Sequence, residues 1–482
     1  MRITIFLSLP GERHHLSFSF PDSAWERTIP EALPRFALRS EQIRQAEPAR
    51  QRVTRQSLGT SGFRSPRSVF FFLILCAIPT LTVASVLARD DDSSVLNQIK
   101  KLAGVAVLEK NGELTSVDFR KCDEKWTDVF PKILEFQTIQ SVSITGPLAT
   151  HERIESLTEL PNLKSLRLDQ SLASDATVAT VSRFPKIEDI VLDGCNISDT
   201  SMQSISKSLT VKRLRVAKTK VTDAGLAYIK DMMQLELLDL SECDQVTNAG
   251  LAHLRGLTKL RNLSLGSRRI SDEGMVYLKD MTSMVAISFK DCAITDSACD
   301  ALSNMTKLKE IDIFKTRAGD RTLSIVANAK DIAKLKLRDS GVTNMGLIEH
   351  IGKFSNLTSL DLGETATDDQ ALSAIAKLNK LEDLNLLRTK VTDIGVASLV
   401  DMKLKRLNLD DIRGISDSVV PHVASIQTLE FLHLGKTSIT DAGLPGLVPL
   451  VRLKDLILTN TGVSEKALQE LQAKMPRVKI LH

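Results

Sequence analysis

Between residues 218 and 240 the chain reads KTKVTDAGLAYIKDMMQLELLDL, and between 436 and 458 it reads KTSITDAGLPGLVPLVRLKDLIL. The apolar positions change period within each stretch. Toward the C-terminal end leucines alternate with polar residues, the two-residue period of a short strand with one buried face. Earlier, Thr222-Asp223 precedes apolar residues at helical spacing, Leu226 and Ile229. This predicts a short amphipathic helix capped by a threonine hydroxyl, with an aspartate in its first turn suiting the helix dipole. A small residue, Thr219 or Thr437, stands before the cap. Its side chain can bond to backbone and so favours a tight turn.

The same order recurs along most of the chain. The middle apolar residue of an L-x-x-L-x-L block falls at Leu166, Ile190, Leu214, Leu238, Leu263, Ile287, Ile311, Leu335, Leu360, Leu384, Leu407, Leu432 and Leu456, at intervals of 23 to 25. Weaker copies centre on Val117 and Val142, for about fifteen repeats with no long insertion. The cap pair returns as Thr247-Asn248, Ser271-Asp272, Thr295-Asp296, Thr343-Asn344, Thr392-Asp393, Ser416-Asp417 and Thr440-Asp441; Gly319-Asp320 and Asp368-Asp369 depart from it but still use residues tolerated at caps. Each unit therefore reads strand, turn, capped helix, return. No unit can bury its apolar face alone, so neighbours must stack into one continuous core. At ~4.8 Å per strand step, such a sheet runs on the order of 70 Å along its curve.

These motifs resemble the leucine-rich-repeat solenoids of the 24-residue class, with the signature V-T-D-x-G-L, over roughly residues 114–482. The array is similar to exported leucine-rich-repeat proteins of planctomycete-type bacteria and to the cysteine-containing repeats of F-box adaptors. The resemblance implies an α/β horseshoe with parallel strands on the concave face and short helices on the convex face. It implies protein binding on the inner strand face and no shared chemistry. Flanking patterns predict end caps. Residues 89–113 form an N-terminal cap, with a helix over 95–102 and a strand over 105–108 turned by Asn111-Gly112 into the array. The array spans 114–475, ends in a helix over 465–474, and is closed by a cap strand at 476–482.

The first 88 residues differ in kind. They hold 11 Arg, no Lys and 6 acidic residues, a charge of +5, which leaves 52 basic and 53 acidic residues, or −1, for the rest. The net charge of +4 is thus a property of the leader, and the balance of the array argues against nucleic acid as a partner. Residues 68–88, SVFFFLILCAIPTLTVASVLA, carry no charge, follow Arg64 and Arg67, and precede Arg89 and three aspartates. Small residues at 86–88 and 83–85 fit a signal-peptidase site, and ~20 apolar or neutral residues also suffice for an uncleaved anchor. Either reading exports the repeats to a periplasm, cell surface or exterior, with membrane contact only through 68–88. Residues 1–67 are Arg- and Pro-rich without sustained periodicity and are expected to be unstructured; a start near Val53 or Leu58 would leave an ordinary charged region before the apolar run.

Candidate chemistry changes the picture little. Of six cysteines, Cys76 is in the leader, while Cys122, Cys195, Cys243 and Cys292 occupy the small-residue position of their repeats. Cys195 and Cys243 lie two repeats apart, ~10 Å at the strand spacing, beyond the ~7 Å a disulfide tolerates. Buried structural thiols are expected, with Cys299 near enough only to Cys292. There is no C-x-x-C, H-x-x-x-H or H-E-x-x-H spacing, no Gly-rich phosphate loop, and no convergence of the scattered histidines. The glycines at 225, 250, 274, 346, 395 and 443 share one repeat position and read as structural. No catalytic group, metal or cofactor is expected.

Binding is expected where strand residues flanking the central leucine face the open inner side. Candidates are Arg213 and Arg215; Glu310, Asp312 and Phe314; Lys334, Lys336 and Arg338; and Phe431 and His433. Arg and aromatic residues are the favoured energetic anchors of protein interfaces, and alternating charges tune selectivity. The reading is a non-catalytic, exported scaffold for a protein or peptide partner. The alternatives are a self-associating envelope component and an F-box-like adaptor. The adaptor would need a helical docking domain that residues 1–67 do not suggest.

Overall fold

The computed structural model describes residues 2–9 and 12–19 as backbone, and residues 90–482 apart from 103, 110, 123 and 124. The chain divides into two units, residues 1–87 and 88–482. In the first, β1 (Arg2–Leu9) and β2 (Glu12–Ser19) pair antiparallel, with Arg2 opposite Ser19 and Leu9 opposite Glu12. The expectation of no regular structure within 1–67 fails for these two segments. Two runs of alternating apolar residues flank the turn-type dipeptide Pro10-Gly11, a local hairpin signal too short to register beside the long repeat. The apolar run at 68–88 lies outside the described residues. Among the described residues no helix is long and apolar enough to cross a membrane.

The second unit is a leucine-rich-repeat solenoid. A helix, Asp90–Lys101, leads to β3 (Val105–Leu108), which pairs antiparallel with β4 (Leu114–Asp118). From β4 every strand runs parallel to the next: β5 (Ser141–Ser143), β6 (Ser165–Arg167), β7 (Asp189–Val191), β8 (Arg213–Arg215), β9 (Leu237–Leu240), β10 (Asn262–Leu265) and β11 (Ala286–Ser288). The series continues through β12 (Glu310–Asp312), β13 (Lys334–Lys336), β14 (Ser359–Asp361), β15 (Asp383–Asn385), β16 (Arg406–Asn408), β17 (Phe431–His433), β18 (Asp455–Ile457) and β19 (Lys479–Leu481). Central residues face each other in register, Leu335 on Leu360 and Leu360 on Leu384. Among the described residues the paired registers run in sequence from β3, the first strand of the series, to β19, the last.

Each strand is short because the chain bends out of the sheet on both sides of one buried residue. Leu214, Leu335, Leu384 and Leu432 are fully buried while their neighbours in the strand are not. Behind them stack the apolar residue two places on, the turn valine or isoleucine, and the helix leucine: Val216, Val221 and Leu226, then Leu240, Val246 and Leu251. Full burial of each such side chain contributes about 1.5–3 kcal/mol before chain entropy is counted. Most returning segments are one or two helical turns, and two of them, Asp296–Leu302 and Leu444–Leu447, are wholly 3-10. Even short helices need more width than the ~4.8 Å strand step, which places the strands on the concave side.

Neighbouring coils are fastened by the aspartate column. Asp223 Oδ1 accepts from the Thr247 amide at 2.8 Å and Oδ2 from its hydroxyl at 2.6 Å. Asp199 does the same for Thr222, Asp272 for Thr295, Asp369 for Thr392 and Asp393 for Ser416. Where asparagine stands, the scheme survives: Asn248 Oδ1 takes the Ser271 amide and Nδ2 donates to the Ser271 hydroxyl at 2.8 Å. The cap hydroxyl also accepts within its own helix, Thr222 from Ala224 N–H and Thr247 from Ala249 N–H. The aspartates therefore do more than favour a helix dipole, as the sequence suggests; each joins its coil to the next.

This staple explains the glycine column. A Cβ on Gly225 would collide with Asp199 Oδ1, and one on Gly250 with Asp223 Oδ1. Ser201 and Thr322 fill the same place with hydroxyls that donate to the carboxylates of Asp175 and Asp296 instead. The small-residue column turns inward: the Thr219 and Thr365 hydroxyls donate to the Val216 and Leu362 carbonyls, both at 2.6 Å, and the thiols of Cys195 and Cys243 reach Leu168 and Val216 carbonyls one coil back. Cys195, Cys243, Cys292 and Cys299 form no disulfide among the described residues. Burial pushes the Cys292 thiol up to about 12.

Candidate protein-binding face

The strand register sets eight of the ten candidate residues in two rows on the concave side, one before and one after each buried central residue; Phe314 and Arg338 stand in the bends just after β12 and β13. It brings six of them together. Lys336 Nζ lies 2.6 Å from Glu310 and 3.9 Å from Asp312, and Lys334 Nζ is 3.8 Å from Glu310. Burial works against the charge on Lys336, yet the hydrogen bond to Glu310 and the nearby Asp312 and Asp361 carboxylates hold its pKa above the usual lysine value. Asp312 also accepts from the Phe314 amide at 3.0 Å, an Asx-type closure of the bend. The Phe314 ring sits between two cations, Arg338 at 5.3 Å and Lys290 at 5.9 Å from its centroid.

Phe431 and His433 form a second group on β17, four strand steps (~19 Å) from β13. Their rings stack with centroids 6.4 Å apart, and the Arg406 guanidinium lies 4.0 Å above the Phe431 centroid. His433 Nδ1 is 3.5 Å from Asp410. Burial, with Lys436 nearby, lowers the His433 pKa against the opposing pull of Asp410. Arg213 and Arg215 stand apart on β8, another four steps before β12; Arg213 reaches Asp189 across the strand gap at 3.5 Å.

Between the two groups lies a recess of about 300 Å³ whose walls include Asp361, Asp383, Asn385, Arg406 and Asn408, none of which was singled out from sequence. These residues occupy the same two rows, so the periodicity contains them; selecting by clusters of basic residues and by aromatic rings passes over them. Asp361 accepts from the Gly363 amide at 3.0 Å and from Asn385 Nδ2 at 2.7 Å. Burial nevertheless raises its pKa, and burial raises that of Asp383 as well, Arg406 compensating only in part.

A rim of charge follows the sheet along the turn after each strand. Arg388 bonds Asp411 at 2.6 Å and lies 3.6 Å from Glu364, which also pairs with Arg338, while Lys436 approaches Asp411 at 3.9 Å. Earlier in the array Lys218 meets Glu242 at 3.2 Å and Lys315 meets Asp291 at 3.0 Å. Lys218, Glu242, Lys315, Glu364, Arg388, Asp411 and Lys436 all have left-handed backbone, with φ from 48° to 58°. That conformation costs roughly 1–2 kcal/mol per non-glycine residue, yet the column here is mostly charged. Sequence periodicity marks the column but not its backbone.

No family model matches the chain, and no curated protein matches it. Among solved structures, an internalin from Listeria monocytogenes is similar at 19% identity and a TM-score of 0.49, over 69% of this chain and 94% of that one. A leucine-rich-repeat protein from Leptospira interrogans aligns at 16% identity and a TM-score of 0.44, over 73% of this chain and 86% of its own. Rad7, from its yeast complex with Elc1, aligns at 15% identity and a TM-score of 0.48, over 87% of this chain and 98% of that chain.

Proposed function

We propose that the array is a non-catalytic scaffold that holds a protein or peptide partner against its concave strand face between β12 and β17. The observation that carries this reading is the build of the face. Polar and charged side chains project from a rigid hydrogen-bonded sheet in two rows, with half-buried phenylalanines at two separated points. Rigid presentation lowers the ordering cost of binding, and arginines stacked on rings are the usual anchors of protein interfaces. The uncharged run at 68–88 supports an exported array, either freed by cleavage or held at a membrane.

The test is chemical crosslinking of the full chain in its own cells, repeated with Lys334→Glu, Lys336→Glu and Arg338→Glu combined. Loss of the crosslinked protein from a variant that retains the wild-type melting transition supports the face as the docking surface. An unchanged crosslink pattern moves the surface elsewhere. Self-association of the purified protein at modest concentration, seen by sedimentation, favours the envelope component instead.

A further inference from the structure

We infer that His433 is a pH-operated switch at the β17 end of the concave face, exchanging a backbone partner for a carboxylate as it takes up a proton. The switch is a property of the free array; only its consequence for binding rests on the concave face being the docking wall. The last residue of several strands closes the bend that follows by accepting from the amide two positions on. Asp312 does so for Phe314 at 3.0 Å, Asp361 for Gly363 at 3.0 Å, Asn385 for Leu387 at 3.1 Å and Asn408 for Asp410 at 2.9 Å. On β17 His433 takes that place, and its Nδ1 accepts from the Gly435 amide at 3.4 Å. An amide oxygen keeps its lone pairs at any working pH, and a carboxylate does so near neutrality. An imidazole nitrogen gives up its lone pair on protonation, at about pH 6.5 when unperturbed.

The two neighbours of Nδ1 make opposite demands. The Gly435 N–H only donates, so it requires a bare nitrogen. Asp410 Oδ1, 3.5 Å from the same Nδ1, only accepts when ionised, so it requires an N–H. Glycine at 435 leaves room for this exchange: a Cβ there would lie 2.9 Å from His433 Cε1 and 3.0 Å from Asp410 Oδ1. The charges around the ring come from three coils. Lys436 follows on its own coil, Asp410 stands in the bend after β16, and the Arg406 guanidinium of β16 covers the Phe431 ring. On β18 Asp455 stands opposite Phe431 and Ile457 opposite His433, with the Thr459 hydroxyl close to Gly435. Burial, helped by Lys436, holds the imidazole below the usual histidine value against the pull of Asp410. The form bonded to Gly435 is therefore the resting one at neutral pH. In acid the imidazolium turns to Asp410, the bend amide loses its acceptor, and a charge appears beside Phe431. A partner packed on the Phe431–His433 stack must then desolvate an ion, which weakens its hold.

The experiment uses the full chain without a partner, labelled with 15N-histidine and titrated by NMR from about pH 7.5 to about pH 4.5. The resonances lost in His433→Asn identify His433, and that variant restores the acceptor found at Asn385 and Asn408. Hydrogen exchange of the peptide containing Gly435 is followed over the same range and corrected for the intrinsic rate. The expected result is an unprotonated Nδ1 at the start and a titration midpoint below about 6.5. Protection of the Gly435 amide is expected to fall about tenfold across that titration, and less than about twofold in His433→Asn. Asp410→Asn removes the carboxylate that favours the imidazolium, so its His433 midpoint is expected lower still. A proton on Nδ1 at neutral pH, Gly435 protection indifferent to the His433 titration, the same loss in His433→Asn, or an unmoved midpoint in Asp410→Asn overturns the inference. The measurement involves no partner, so crosslinks that depend on Lys334, Lys336 and Arg338 test the docking wall separately: the switch can fall while the wall stands, and the reverse.

Discussion

At the scale of single residues, the aspartate column serves as adhesive between coils, and this sets the cost of changing it. Asp223→Ala removes two hydrogen bonds and leaves the half-buried Thr247 amide without its acceptor. A destabilisation of about 1–3 kcal/mol is expected from urea denaturation. Asp223→Asn is expected to cost less than about 1 kcal/mol, because Asn248 and Asn344 already bond the next cap through the same oxygen. Gly250→Ala drives a methyl into Asp223 and is expected to destabilise by about 1–3 kcal/mol. Gly352→Ala meets open space at an ordinary backbone angle and is expected to be neutral or stabilising by less than about 1 kcal/mol. Titration distinguishes the recess from the staples. The folded-state pKa of Asp383 is raised, so native protein holds a proton that the unfolded chain has lost. The wild type is therefore penalised as pH rises through that folded value, and the penalty is absent below the ordinary value of 3.8. Asp383→Asn is expected to be the more stable protein at pH 7 and to converge with wild type near pH 3, in thermal melts across that range. His433 has the opposite pattern: its lowered pKa makes the wild type lose stability as pH falls below about 6.5.

At the scale of the element, a coil has no core of its own. Leu335 on β13 is fully buried, with Ile311 and Leu360 as its register partners on the flanking strands. Leu335→Ala is expected to cost about 2–5 kcal/mol. Hydrogen exchange should show that cost locally, with amides of β12 to β14 losing protection well before those of β6 or β18, because contacts reach only neighbouring coils. A uniform loss of protection across all strands would show instead that the array opens as one unit. The element scale also shows where sequence reading stopped short. The alternation around Leu335 and Leu384 and the Thr-Asp caps located strands and helix starts. Whether a return segment closes as α or 3-10 helix was not readable, since one or two turns carry too few residues to separate periods of 3.0 and 3.6.

At the scale of the whole molecule, the series of coils has a first and a last member, covered unequally. At the start, Val95 and Ile99 of the first helix and the rings of Phe119, Trp126 and Phe130 bury the end of the core. At the finish, helix Glu465–Lys474 contributes Leu468 and Leu471, and β19 pairs with β18. Removing residues 465–482 exposes the apolar end formed by Leu456 and Leu458, both fully buried in the intact protein. The truncated chain is expected to associate through that face, with sedimentation showing dimers or larger species where the intact protein shows fewer.

The repeat, its period, its direction of stacking and the identity of its inward-facing residues were determined by the sequence alone, because a periodic chain offers one arrangement that buries every leucine column at once. The hairpin at β1 and β2 escaped that reading because it stands outside the period. Tertiary structure alone decided which polar columns meet. Asp199 and Thr222 are 23 positions apart and bond only because one coil lies on the next. Likewise, Asp361, Asp383 and Arg406 come from three successive coils and meet only once register has placed them side by side. Hydrophobic burial is non-directional and leaves its mark in composition and spacing, whereas hydrogen bonds and ion pairs depend on distances that stacking alone defines.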